Sequence, residues 1–147
     1  MRAIHETRLR EVLQRTIDVA PGADDPLELL LSGVRSYVEF FVLHPDYLRM
    51  HLREGYAWGL GGAAVSSRER AAAWSEGVAM QTALFERGVA EGIFCDRDPQ
   101  LMARMMIAMQ QVQLADWVER NMSGDPSDLV ADMQAQVRRS FCRGDGV

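Results

Sequence analysis

Lysine is absent from the 147 residues; all 16 basic side chains are arginine. Against 21 acidic residues they leave a formal net charge of −5. Such a chain is poorly suited to gripping nucleic-acid phosphates by itself. Cysteine is nearly absent too. Cys95 and Cys142 stand alone, with no CxxC pair, so a structural zinc site has no support. No apolar core segment follows Arg2 as it would in a signal peptide, and no uncharged apolar run is long enough to span a bilayer. Those absences point to the cytoplasm and to two free thiols. Period-2 alternation is never sustained and no hairpin turn separates β-branched runs, so strands are not expected. GxSxG, HExxH, GxGxxG and P-loop patterns are missing. The three histidines, His5, His44 and His51, have no companions at metal-ligand spacing. Neither a metal, a cofactor nor a catalytic residue is expected.

What the chain does have is apolar content, 48%, enough for one globular domain with its own core. Its helix starts are marked by one repeated device. Asp25-Pro26, Asp98-Pro99 and Asp125-Pro126 each precede an apolar-periodic segment. Asp is a good N-cap, and Pro suits the first helical position because its missing N–H has no partner there. Ser66 with Glu69 forms a capping-box pattern, and Pro45 follows His44 at another start. Six helices are predicted, over roughly 2–19, 26–43, 46–56, 67–91, 99–121 and 126–142. The first has no cap before it, as though the chain began inside a helix.

Two segments stand apart. Gly55, Gly59, Gly61 and Gly62 surround Trp58, which predicts a mobile link whose Trp docks on the core or closes over a ligand. The segment 99–121 is apolar nearly all round. Leu101, Met105, Ala108, Val112 and Ala115 form one stripe; Ala103, Ile107, Leu114 and Val118 form another; Met102, Met106 and Met109 lie between. A helix on a monomer's surface shows one apolar face only. This one is either central in its own domain or shared with a second chain. Periodicity does not decide between them.

The stretch LFERGVAEGIFCDRDPQLMARMM, residues 84–106, resembles the C-terminal regulatory domain of the TetR family of bacterial transcriptional regulators. The family's Arg-Gly-hydrophobic-Ala-x-Gly-x-Phe run is matched by Arg87, Gly88, Val89, Ala90, Gly92 and Phe94, and Asp98-Pro99 follows. FFVLHPDYLRMHL, residues 40–52, matches the family's aromatic helix end followed by His-Pro-Asp-Tyr, and MRAIHETRL resembles the helix after its DNA-reading head. The order and spacing agree over nearly the whole chain.

The resemblance implies a single all-α, six-helix ligand-binding and dimerisation domain over 1–147, with the helix-turn-helix head missing from the front. DNA would be reached only through that head. It further implies a homodimer in which the last two helices of each subunit form a four-helix bundle, and a pocket for a small, largely hydrophobic effector. The expected interface residues are Met102, Met106, Leu114, Trp117, Val130, Met133, Val137 and Phe141. The expected pocket residues are Tyr37, Phe41, His51, Trp58, Trp74, Val78, Met105, Met109 and Gln113. Apolar and aromatic linings suit such ligands, although plain core is the default for any one of these side chains. Gln113, polar on an apolar helix, is expected to meet the ligand or to bond across the dimer interface. The function implied is effector sensing within a regulator, a repressor by family habit. The alternative is a headless protein that binds a ligand or forms heterodimers without touching DNA. A helical enzyme is the remaining class, and no constellation supports it.

Overall fold

The computed structural model describes residues 11, 25–55 and 68–144, with side chains over 25–53 and 75–144 apart from Glu11. The predicted helix 2–19, the glycine-rich stretch 56–67 and the Ser66 cap lie outside the described residues. Five helices are described: α1 (Pro26–Leu43), α2 (Pro45–Gly55), α3 (Arg68–Ala90), α4 (Pro99–Glu119) and α5 (Pro126–Phe141). No strand occurs among the described residues; the one extended contact is an isolated antiparallel bridge between Phe94 and Cys142. The chain is therefore all-α over its described part.

Each Asp-Pro start behaves as its chemistry dictates. Asp25 Oδ1 accepts from Leu27 N at 2.9 Å, Asp98 Oδ1 from Gln100 N at 3.1 Å, and Asp125 Oδ1 from Ser127 N at 2.9 Å. Each carboxylate satisfies one of the N–H groups that a helix start leaves without a partner.

The helix ends are equally specific. At the end of α3, Gly92 N donates to Val89 O and Ile93 N to Gly88 O, with Gly92 at φ +76°. This is a Schellman motif, and glycine takes its left-handed position without a Cβ penalty. Gly88 has a second duty. A Cβ there would run into the Phe94 ring, which lies directly on the helix backbone. The Arg-Gly-…-Gly-x-Phe run is thus a corner in which one glycine makes the turn and the other makes room for the aromatic. A second Schellman motif ends α4: Asn121 N donates to Val118 O and Met122 N to Trp117 O, with Asn121 at φ 58° and Met122 at φ 55°.

The core is one cluster contributed by all five helices. α3 packs along α4, and α1 lies against α3 and α5. Gln134 Nε2 of α5 donates to Leu31 O of α1 at 3.0 Å and ties those two helices together. The corner after α3 is laced to the chain's end: Cys95 N donates to Phe141 O at 2.8 Å and Arg143 N to Ile93 O at 3.0 Å. Phe85, Phe94 and Phe141 meet there, with ring centroids 5.1 and 5.0 Å from Phe85.

α1 begins near this corner, since the Asp25 carboxylate acts on the Cys142 thiol. It spans 18 residues, roughly 27 Å at the α-helical rise. Its C-terminal end and α2 therefore occupy the opposite end of the bundle. Among the described residues no helix is long and apolar enough to cross a membrane.

Candidate functional site

The end of the bundle away from the corner holds an aromatic and histidine cluster. α1 stops at His44, whose N–H donates to Phe41 O, and Leu48 N of α2 bonds back to His44 O at 3.0 Å. This tight connection brings the last two turns of α1 against the first two of α2. Phe41 and Tyr47 stack at 5.7 Å with planes 12° apart, while Tyr37 meets Phe41 edge-on at 4.8 Å. Phe40 leans on His44 at 4.7 Å.

His51 closes the cluster, 5.1 Å from Phe41 and 6.0 Å from Tyr47 between ring centroids. Its Nε2 lies 3.4 Å from the Tyr37 hydroxyl. Enclosure among these rings lowers the His51 pKa from 6.5 to about 4, because burial penalises the imidazolium. The Tyr37 hydroxyl is pushed well above its ordinary 10, chiefly by burial and then by Tyr47. At neutral pH His51 and Tyr37 are therefore both uncharged.

α2 also packs on α4. Arg49 of α2 reaches the Met122 sulfur just beyond the end of α4, at 4.0 Å. The cluster therefore lies at the same end of the bundle as the last turns of α4, where Gln113 and Trp117 stand one turn apart. Two polar side chains of α4 sit in otherwise apolar surroundings here. Gln110 is 4% exposed and is the one buried polar or charged residue among those described. Gln113 Oε1 is buried with no hydrogen-bond partner, and so are Trp117 Nε1 and Gln81 Oε1 of α3. An orphaned buried donor or acceptor costs about 1–3 kcal/mol, so each of the three calls for a physical reason.

Of the expected pocket residues, the structure brings Tyr37, Phe41 and His51 into contact and gives Gln113 an unsatisfied buried oxygen. Val78 is in the core at 4% exposure. Met109 faces α5, where Ser140 Oγ donates to its sulfur at 3.8 Å. Met105 is on the outer face of α4, 39% exposed, and is not part of this interior. Trp58 lies outside the described residues, and Trp74 is described in its backbone only.

The expected interface residues are buried within the single chain. Met102, Met106, Leu114, Trp117, Val130, Met133, Val137 and Phe141 are each at most 5% exposed within the single chain. Their surface is already covered by the chain's own helices, so a second copy has nothing of theirs left to bury. The apolar surface that remains on α4 is Leu101, Met105 and Val112, at 43%, 39% and 68% exposure. The physical reason is phase: a helix apolar all round does not announce which stripe faces inward. Gln81 and Gln110 were not singled out by sequence. The sequence signal for such a residue is an isolated Gln in an apolar helical stripe.

Cys95 and Cys142 are both free thiols. Among the described residues no group of three or more His, Cys, Asp or Glu is placed to hold a metal ion.

No protein-family model matches the chain, and no curated protein sequence matches it. Among solved structures it is similar to a protein of unknown function from Rhodococcus sp. RHA1, at 16% identity and a TM-score of 0.68, over 97% of this chain and 71% of that one. At that identity the likeness shows the fold alone.

Proposed function

We propose that this chain is the effector-binding and dimerising part of a TetR-like transcriptional regulator. Its ligand is a small, largely hydrophobic molecule, and DNA is read by a separate helix-turn-helix head. The observation that carries the reading is the set of buried polar atoms without partners on α3 and α4, in a bundle that also holds the Tyr37–Phe41–Tyr47–His51 cluster. Interiors built only for stability satisfy such atoms or replace them; interiors built for a ligand leave a few of them for it. The Gly88–Phe94 corner and the sequence run that forms it add the family resemblance to this reading.

The exposed stripe Leu101, Met105 and Val112 supports a partner on the outer face of α4. Residues four and seven apart share one side of a helix, and a second copy would pair this stripe with its own. Ligand binding could then alter the spacing of two attached heads through its unequal affinity for two subunit arrangements.

The test is binding and mass together. The protein is expected to take up one Nile red per chain, saturably, and to scatter light at twice the chain mass. Met105→Glu combined with Val112→Glu is expected to give a folded monomer. A wild-type monomer that binds no Nile red would remove the proposal. Sequencing upstream of the Met1 codon tests the DNA-reading part, with a helix-turn-helix as the expected result.

A further inference from the structure

Resting on that reading, the outer face of α4 also fixes how a second copy lies on it. We infer that two copies pair their α4 helices antiparallel, about a two-fold axis level with Gln110. The Arg104 end of each helix then meets the acidic end of the other.

The face is built as a seam. Leu101, Met105, Ala108, Val112 and Ala115 follow one another at steps of four and three, the spacing at which paired helices interdigitate. Leu101, Met105 and Val112 are 43%, 39% and 68% exposed, and Ala108 and Ala115 are half-buried. Ala103, Gln110 and Trp117, spaced by sevens on the opposite side of the helix, are at most 5% exposed in the chain's own core. The five residues therefore form one apolar line facing away from that core, roughly 21 Å long at the α-helical rise.

Charge sets the direction. α4 holds three charged residues, Arg104 near its start and Asp116 and Glu119 in its last turn. This order runs against the helix macrodipole, which favours acids at the start and bases at the end. Arg120, just past the helix, offsets Asp116 through an ion pair at 2.8 Å. Parallel pairing would set Arg104 against its own copy and Glu119 against its own copy. Antiparallel pairing sets opposite charges together and opposes the two dipoles.

Size sets the register. With Met105 opposite the partner's Ala115 and Ala108 opposite the partner's Val112, each larger side chain meets a small one. Leu101 then packs on the stem of the partner's Glu119, and Arg104 comes beside that carboxylate. A register slipped by one heptad sets Leu101 on the partner's Val112 and carries Glu119 past the start of the partner's α4, away from Arg104.

The experiment is disulfide trapping on the full chain carrying Cys95→Ser and Cys142→Ser, oxidised with copper phenanthroline. Chains with Met105→Cys mixed with chains with Ala115→Cys are expected to cross-link about tenfold more than either variant alone. In sedimentation, Arg104→Glu is expected to weaken the dimer about tenfold, and added Glu119→Arg to restore most of that loss. Strong cross-linking of each variant to itself overturns the antiparallel direction and leaves the dimer standing. Preferential trapping of Leu101→Cys with Val112→Cys overturns the register and leaves the direction standing. A wild-type monomer overturns the seam together with the dimerising part of the reading, and Nile red uptake by that monomer would leave the ligand-binding part intact.

Discussion

α4 has two ends that are built differently. Near its start, Met102, Ala103 and Met106 are at most 1% exposed, next to the corner where Phe85, Phe94 and Phe141 meet and the chain's end is bonded to Ile93 and Cys95. The backbone groups that lace this corner are paired, and its ring contacts are tight. Near its last turns, Gln113 and Trp117 carry buried polar atoms without partners, and the α2 helix packed on α4 holds a histidine whose protonation is suppressed. The first end is organised for stability. The second leaves buried polar atoms without partners, at a cost in stability. One continuous helix joins them, so the packed end holds the polar end in place.

Substitutions at the packed end should have the largest effects. Phe94→Ala is expected to cost about 3–5 kcal/mol, as for a buried aromatic truncated to a methyl; urea unfolding measures it. Phe141→Glu places a carboxylate in the same cluster, and circular dichroism should show an unfolded chain rather than a folded monomer. A folded, monomeric Phe141→Glu protein would return that residue to a subunit interface.

At the polar end the next effect is a pH dependence. Unfolded His51 takes a proton near its ordinary 6.5, whereas the folded one resists until about 4. Between those values the unfolded chain binds more protons. Stability is therefore expected to fall as the pH falls through that window, by up to on the order of 2–3 kcal/mol from this group. His51→Gln should flatten the slope, which thermal unfolding between pH 6.5 and 5 resolves before most carboxylates titrate.

The polar end should also gain where the packed end loses. Gln113→Leu removes an unsatisfied acceptor and is expected to stabilise the ligand-free protein by about 1 kcal/mol, read as a raised midpoint in urea. A loss instead would mean that the oxygen is satisfied in solution. The smallest effect belongs to the turn after α4. Asn121→Gly relieves a left-handed residue and is expected to add about 0.5 kcal/mol or less, detectable as a small rise in Tm.

The two ends also differ in how plainly the sequence displays them. The helix starts were readable because Asp25, Asp98 and Asp125 are caps whose chemistry is local. Gly88, Gly92 and Phe94 were readable as a run, and the geometry of the corner explains why they travel together. The turn after α4 was not readable, since neither Asn121 nor Met122 signals a positive φ as glycine does. The phase of α4 was hidden by its uniform apolarity. Met105, expected in a pocket, is half-exposed on the outer face, while Met106 and Trp117 are buried. Gln113 could be singled out by polarity, but Gln81 and Trp117 become visible only when their buried atoms are found without partners.

Hydrogen–deuterium exchange with and without saturating Nile red tests the contrast most directly. Ligand-induced protection is expected over residues 47–52 and 110–118, with little change over 85–94 and 137–142. Protection confined to the Phe85–Phe94–Phe141 corner, or absent from residues 110–118, would contradict a ligand-binding polar end on α4.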